Sequence, residues 1–362
     1  MPARPRRALA GGGTGGQPAR RRGAGDARPL VAAAPVCRGS RRRGGGQVSQ
    51  RVGAVDCGTN SIRLLVADVG SDGRLTDVVR RMEVVRLGQG IDRTGVIAPE
   101  AMERTLAAAR EYAALCREHG VETARFVATS ASRDARNADD FVAGVREAFG
   151  ELDVAPEVVP GDVEARLSFA GATGDLPAAG VEGPYLVVDL GGGSTELVRG
   201  TERVEAARSV DVGCVRITER HLEHDPPTQE EIVAARADVA RALEQAEEVV
   251  HLGGLSAVVG LAGSVTTVTA HALGLDRYDR DAIHLAQVPL EAHRGACRSL
   301  LAMSREQRAA LPYMHPGRVD VIGAGALVWY EVLGRVAVRS PGVRVVTSEH
   351  DILDGIALSV AG

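Results

Sequence analysis

The chain of 362 residues contains no lysine, so all 43 of its basic residues are arginine. A P-loop and a protein-kinase site both depend on a lysine beside the nucleotide phosphates. Neither of these nucleotide-binding chemistries can operate in this chain.

Aromatic residues are also scarce, with one Trp, five Tyr and four Phe, which predicts cores of valine, leucine and alanine. The five cysteines are scattered, and none belongs to a C-x-x-C pair. This pattern is typical of a reducing compartment, not of a disulfide framework or a zinc site, and we expect a cytoplasmic protein. No apolar run approaches the ~20 residues of a membrane span. The short apolar stretch at 29–37 is flanked by arginine and lies too far into the chain for a signal peptide, so we expect neither membrane insertion nor export.

The formal net charge of -4 conceals two parts of opposite charge. Residues 1–50 hold eleven arginines and one aspartate, which leaves 32 basic against 46 acidic residues in the rest of the chain. The acidic part is a poor candidate for nucleic-acid binding by general electrostatics. Residues 1–50 have almost no large apolar side chain, and such a segment cannot offset its ordering entropy by burial. We therefore predict a disordered tail over 1–50.

From residue 51 the pattern becomes that of a folded α/β protein. The stretch "VGAVDCGTNSIRLLVADVG" predicts a strand, a tight turn and a second strand. Pro99 predicts the first turn of a helix that ends at Gly120. A further helix is predicted around Ala138–Phe149, and Thr228 and Glu231 predict a capping box for a long helix.

Two short motifs match each other. "VDCGTNSI" and "VDLGGGST" share V-D-x-G-x-x-S, and their aspartates, Asp56 and Asp189, lie 133 residues apart. A self-similar motif at the spacing of a domain indicates duplication. We therefore expect a first lobe over 51–178 and a second lobe over 179–362, each presenting the same turn.

The chemistry of these turns suits phosphate. Glycine lets the backbone approach a ligand, and successive N–H groups form a concave anion site. A carboxylate at the same turn repels phosphate unless a cation lies between them, and Mg²⁺ prefers one or two carboxylates together with phosphate and water. The two motifs therefore predict a metal-bridged phosphate between Asp56 and Asp189. The alternative is that each Asp-x-Gly segment forms only a hairpin turn.

Phosphoryl transfer to water also needs a group that orients or deprotonates the water. Glu164 and Glu196 are the candidate carboxylates, although Glu164 also fits a first-turn helix residue favoured by the helix dipole. Arg133 follows a strand and is a candidate for neutralising transition-state charge, with a surface ion pair as its alternative. The small-residue turn at 260–268 either cradles further phosphate or packs a helix close to a strand.

Six stretches together resemble the exopolyphosphatase / guanosine pentaphosphate phosphohydrolase family, within the actin–hexokinase–Hsp70 superfamily. In chain order they are "VDCGTNSIRLLVADV", "ATSASRDARN", "VVPGDVEARLSF", "VVDLGGGSTELV", "VDVGCVRITE" and "VVGLAGSVTT". The resemblance covers residues 55–355 and is greatest to the short, two-domain form. It implies an α/β fold of two ribonuclease H-like (actin-like ATPase) lobes with a cleft between them.

The resemblance also implies roles for individual residues. Glu164 matches the catalytic base, Asp189 the carboxylate that organises metal and water, and Glu196 a second carboxylate of the site. Asp56 joins Asp189 as a ligand of Mg²⁺ or Mn²⁺. The implied phosphate contacts are Asn60, Ser61, Arg133, Gly191, Gly192, Gly193, Ser194, Gly263 and Ser264.

Two positions depart from the family pattern. Val163 stands where the family often has a second acid, and Leu353 stands where its usual Leu-Arg-Glu-Gly has arginine. If that arginine grips a long anionic chain, the preference for long polyphosphate is open.

We expect a phosphohydrolase that removes terminal phosphate from inorganic polyphosphate, with guanosine pentaphosphate as a second candidate substrate. The resemblance further implies a homodimer. The alternatives are a sugar or carboxylate kinase of the same superfamily and a non-catalytic sensor that binds polyphosphate or an alarmone.

Overall fold

The computed structural model describes residues 48–152, 154 and 156–361. The predicted disordered tail lies outside the described residues except at its end. There the first strand already begins at Val48, three residues before the predicted start of the first lobe. The strand extends this far because Val48 pairs with Gly70 and Gln50 with Val69 of the neighbouring strand.

The described residues form eleven strands, thirteen α-helices and two short 3-10 helices, Gly150–Leu152 and Pro316–Arg318. The strands are β1 Val48–Cys57, β2 Ile62–Gly70, β3 Leu75–Glu83, β4 Thr123–Ala128, β5 Glu157–Val158, β6 Tyr185–Leu190, β7 Thr195–Gly200, β8 Val204–Val210, β9 Ala257–Leu261, β10 Ala286–Gln287 and β11 Arg344–Thr347. The helices are α1 Ile91–Thr94, α2 Pro99–Glu118, α3 Ser130–Asp134, α4 Ala138–Phe149, α5 Gly161–Thr173, α6 Cys214–His221, α7 Gln229–Glu247, α8 Ala262–Leu273, α9 Arg280–Ile283, α10 Leu290–Ala302, α11 Arg305–Ala309, α12 Ile322–Arg339 and α13 Ile352–Ala361.

The strands form two sheets of repeated topology. The first has the order β3-β2-β1-β4-β5, and the second has the order β10-β11-β9-β6-β7-β8. In each sheet three antiparallel strands joined by hairpins continue into strands that run parallel to the first of the three. The second sheet adds β10, antiparallel to β11, at its edge. This repetition confirms the predicted two-lobed α/β fold.

The central strands are buried because helices cover the sheets. Every residue of β6 and of β9 is buried, as expected for strands with both faces covered. The helix signals in the sequence are largely confirmed: Pro99 opens α2, α4 spans Ala138–Phe149, and Thr228 and Glu231 form the capping box of α7. No helix within the described ranges has both the length and the apolar character needed to cross a bilayer.

Two helices, α5 and α13, pack against each other between the sheets. The helix α5 packs on β6, β7 and β8, whereas α13 packs on β1, β2 and β4. Glycine is required at the crossing, because a Cβ atom on Gly171 would overlap the carbonyl oxygen of Asp351, and one on Gly355 would overlap that of Leu167. The C-terminal helix thus completes the core of the first sheet, although the predicted second lobe includes it. The lobe boundary at residues 178 and 179 otherwise stays a prediction.

Candidate active site

The two V-D-x-G-x-x-S motifs form equivalent hairpins. The N–H of Gly58 donates to the carbonyl of Ser61 at 3.0 Å in the first, and the N–H of Gly191 donates to the carbonyl of Ser194 at 3.1 Å in the second. Each motif aspartate is the second-last residue of the strand that enters the turn. The same sequence pattern therefore gives the same local geometry in both lobes.

The two turns lie against each other. A Cβ atom on Gly192 would lie 2.9 Å from Thr59 Cβ and 3.2 Å from the backbone nitrogen of Asn60. A Cβ atom on Gly193 would lie 2.5 Å from Ser130 Oγ. Because a larger residue would separate the turns, these glycines permit the second lobe to contact the first.

The turns line a cavity of about 100 Å³. Ten of the predicted site residues line it: Asp56, Asn60, Ser61, Glu164, Asp189, Gly191, Gly192, Ser194, Gly263 and Ser264. Three predicted residues, Arg133, Gly193 and Glu196, are not among its lining residues. Other residues that line the cavity were not predicted from the sequence, and these include Thr59, Ser130, Arg63 and Arg318.

Glu164 lies in the first turn of α5 and is buried. Arg133 donates to Glu164 Oε2 at 3.0 Å and to the carbonyl of Val159 at 2.8 Å. Burial raises the pKa of Glu164 well above its ordinary value; the carboxylates of Glu196 and Asp189 add to this, and Arg133 opposes it. Glu164 is therefore suited to accept a proton. Arg133 does not line the cavity and orients the Glu164 carboxylate through its hydrogen bond.

Asp189 lies opposite Glu196 in the ladder between β6 and β7. Ser168 Oγ donates to Asp189 Oδ2 at 2.5 Å. Ser194 and Ser209 donate to Glu196 Oε1 at 2.8 Å and 2.7 Å. Ser168 is four residues after Glu164 on α5, so the spacing i, i+4 was the sequence signal that could have identified it.

Burial, together with the carboxylates of Glu196 and Asp351, raises the pKa of Asp189 to about 7, against the opposing effects of Ser168 and Arg63. Burial also raises the pKa of Glu196, against the opposing hydrogen bonds from Ser209 and Ser194. Ionisation of both acids places two negative charges close together in a buried environment, which is unfavourable. A divalent cation bound between them would neutralise these charges. The donors are oxygen atoms, which Mg²⁺ and Mn²⁺ prefer, so the residues around Asp189 fit the expected metal.

Asp56 has a different partner. Arg63 Nε and Nη2 donate to Asp56 Oδ2 at 2.9 Å and 2.7 Å, and Arg63 Nη1 forms a short ion pair with Asp351. The Asp56 carboxylate is thus neutralised by a guanidinium group, which competes with its predicted role as a metal ligand. The sequence did not reveal this triad because Asp351 lies 288 residues from Arg63.

A larger cavity of about 510 Å³ adjoins the first. Both are lined by Arg63, Ala262, Gly263 and Arg318. The arginines of the larger cavity are Arg63, Arg80, Arg81, Arg280 and Arg318. Leu353 lines it as well, at the position where the family pattern has arginine. The position that lacks the family's arginine therefore lies in the wall of the larger cavity, which contains several other arginines.

Arg216 of α6 ties the second turn to the first lobe. Its Nε donates to the carbonyl of Gly193 at 2.8 Å, and its Nη1 donates to Asp92 at 2.6 Å. Its Nη2 forms a short ion pair with Asp134. Arg216 lies in the family-like stretch "VDVGCVRITE", but the sequence did not reveal its acid partners because they lie in other helices.

Known proteins resemble this chain along most of its length. The profile of the Ppx/GppA phosphatase family matches residues 65–360. Exopolyphosphatase 2 of Mycobacterium tuberculosis is 51% identical over 317 residues, which cover 86% of this chain and 99% of that protein. A crystal structure of an exopolyphosphatase-like protein has a TM-score of 0.82 at 45% identity, over 86% of this chain and 98% of that one. The Aquifex aeolicus member of the Ppx/GppA protein family has a TM-score of 0.70 at 27% identity, over 86% of this chain and 97% of that one. The chain belongs to the Ppx/GppA phosphatase family.

Proposed function

We propose that the protein is an exopolyphosphatase, which removes the terminal phosphate of inorganic polyphosphate by attack of water. One observation carries the proposal: Glu164 and Asp189 line the same small cavity as both glycine-containing turns. A carboxylate that accepts a proton, a carboxylate that holds a cation and two phosphate-binding turns are the parts that this hydrolysis needs.

In this proposal Glu164 accepts the proton of the attacking water. Backbone N–H groups of the two turns and the hydroxyl of Ser61 bind the terminal phosphate, while Ser168 fixes the orientation of Asp189. A bound Mg²⁺ or Mn²⁺ supplies neutralisation of phosphate charge, with Asp189 as its protein ligand. Glu196, held by two serines behind the cavity wall, adds a negative charge that acts with burial to raise the pKa of Glu164.

The substrate preference follows from the two cavities. The smaller one, at about 100 Å³, is well below the roughly 300–1,000 Å³ of pockets that bury drug-sized ligands, and it suits one phosphate group. The larger, arginine-lined cavity offers a path for the rest of an anionic chain. This arrangement supports inorganic polyphosphate as the substrate and leaves guanosine pentaphosphate as the second candidate. The kinase and sensor alternatives are not favoured in a phosphatase-family chain that retains Glu164 and Asp189.

We also propose a cytoplasmic location. The free, buried state of the described cysteines, Cys57, Cys116, Cys214 and Cys297, supports it. The homodimer stays a prediction, which sedimentation of the purified protein would test.

The direct test is phosphate release from polyphosphates of defined length and from guanosine pentaphosphate, with and without Mg²⁺ or Mn²⁺. We expect metal-dependent release of single phosphates from polyphosphate ends. Phosphate transfer from ATP to a sugar or carboxylate, without polyphosphate hydrolysis, would instead support the kinase. Binding of polyphosphate without release would support the sensor.

A further inference from the structure

A second group of metal-ligand side chains lies outside both cavities. Asp175 follows α5, His284 follows α9, and His350 lies between β11 and α13. One candidate ligand atom of each lies within 4.8 Å of those of the other two. Across the described ranges, no other group of three His, Cys, Asp or Glu side chains meets this distance.

The distances within this group approach those of a coordination shell. His350 Nδ1 lies 2.9 Å from Asp175 Oδ2, and His284 Nε2 lies 3.7 Å from the same oxygen. Zinc–nitrogen bonds of about 2.0–2.1 Å in a tetrahedral arrangement separate neighbouring ligand atoms by roughly 3.3 Å. Small side-chain adjustments therefore bring all three ligands to one ion.

We propose that Asp175, His284 and His350 bind a divalent transition-metal ion such as Zn²⁺, with water completing the shell. Two imidazoles and one carboxylate favour zinc and its neighbours over Mg²⁺, which takes oxygen ligands. The site thus differs in metal preference from the oxygen donors around Asp189. It joins three segments that are distant in sequence.

The ligands are accessible and at least one is in the correct protonation state. The side chains of Asp175, His350 and His284 are 53%, 37% and 23% exposed, so an ion and its waters can reach them. His284 Nδ1 accepts a hydrogen bond from the backbone N–H of Glu349 at 3.2 Å, so the ring has an unprotonated nitrogen and is in its neutral form.

Metal binding has a structural consequence at Glu349. The backbone N–H of Glu349 donates to His284 Nδ1 at 3.2 Å, so the neutral ring of the metal-free protein carries its proton on Nε2. Coordination at Nε2 moves that proton to Nδ1, and the Glu349 N–H loses its acceptor. The carboxylate of Glu349 accepts hydrogen bonds from Tyr278 at 2.5 Å and Arg280 at 3.1 Å, and all three residues line the larger cavity. Occupancy of the metal site is thereby coupled to the wall of that cavity.

The test is a titration of the metal-free protein with Zn²⁺ in excess Mg²⁺, followed by calorimetry, with Co²⁺ absorption as a probe of coordination. We expect one Zn²⁺ per chain. His284→Ala and His350→Ala should each weaken binding by more than about 100-fold, because even loss of an outer-shell partner costs 10–100-fold. Hydrogen exchange at the Glu349 amide should accelerate on addition of Zn²⁺.

Two variants serve as controls. His251→Ala removes an exposed histidine outside the group, and Asp189→Asn removes the carboxylate proposed for the catalytic cation; both should bind Zn²⁺ as the parent protein does. Circular dichroism checks that each variant is folded, and the exposed Asp175→Asn repeats the test if a histidine variant is not. The proposal is overturned if the parent protein takes up no Zn²⁺, or if the folded ligand variants bind it with unchanged affinity.

Discussion

Asp189 lies directly opposite Glu196 in the antiparallel ladder of the second sheet. In the duplicated hairpin of the first sheet, the equivalent Asp56 lies opposite Arg63. Like charges directly opposite each other destabilise a sheet, whereas opposite charges stabilise it. The two lobes thus share a turn but differ in charge: a guanidinium group neutralises the first aspartate, and the second is left in an acidic pair that suits a cation.

This asymmetry gives a prediction for Asp189→Asn. The concentration of Mg²⁺ that gives half-maximal activity should rise by more than about tenfold, since removal of even an outer-shell partner of a metal site costs at least this much. Metal titration of phosphate release measures it. Asp56→Asn is the matched comparison in the first lobe and should shift the titration less. Equal shifts in both variants would instead support the metal bridge between the two aspartates.

Glu164→Gln should reduce turnover by about 10²–10⁴, the usual effect of losing a general base, while KM changes little. The amide keeps the shape of the side chain and can still contact Arg133, so a gross structural change is not expected. Asp162→Asn on the same helix is the control, because Asp162 is exposed and pairs with Arg166 on the surface. Turnover at the parent rate in Glu164→Gln would remove Glu164 from the mechanism.

The raised pKa of Glu164 predicts the pH dependence of activity. Glu164 must be ionised to accept a proton, so activity falls as the pH decreases through its pKa, and burial places this fall above the ordinary glutamate range near about 4.3. Glu196→Gln removes a neighbouring negative charge that raises this pKa. The acid limb of kcat/KM should therefore move to lower pH in Glu196→Gln. A limb that stays in place or moves upward contradicts the assigned electrostatic role of Glu196.

The sequence was sufficient to predict features that depend on residues close together in the chain. The two V-D-x-G-x-x-S turns, the helix at Pro99 and the capping box at Thr228 each depend on neighbouring residues, and their geometry followed from the pattern. The meeting of the two turns followed from their duplication. The resemblance to a known family supplied Glu164, whose local pattern alone also fitted an ordinary helix start.

Features that depend on contacts between residues distant in the sequence could not be predicted from the sequence. The pairing of Arg63 with Asp351 spans 288 residues, and no periodicity reports it. The helix α13 is strongly apolar, and such a pattern predicts burial without specifying which sheet it covers. Its contacts with β1, β2 and β4 assign it to the first sheet, and the glycines Gly171 and Gly355 permit its close crossing with α5.

Arg216→Ala should lower kcat/KM by up to about 10²-fold, the cost of a small misplacement at a reacting centre. The variant frees the carbonyl of Gly193 and removes ion pairs to Asp92 and Asp134, so the second turn loses its tie to the first lobe. Arg236→Ala, which breaks an exposed ion pair with Glu331, is the control and should retain activity. Unchanged kinetics in Arg216→Ala would show that the turns stay aligned without this tie.

Arg81→Ala tests whether the larger cavity holds the remainder of a long chain. Arg81 is exposed at this cavity and forms no ion pair within the described ranges, so its charge is available to a polyanion. Its loss should raise KM for long polyphosphate by up to about fivefold, the effect of one exposed ion pair, and leave KM for triphosphate unchanged. Arg110→Ala removes an exposed charge on α2, away from both cavities, and should change neither value. Equal effects of Arg81→Ala on short and long substrates would argue that the chain leaves the small cavity by another route, because a contact beyond the first phosphates can act only on substrates long enough to reach it.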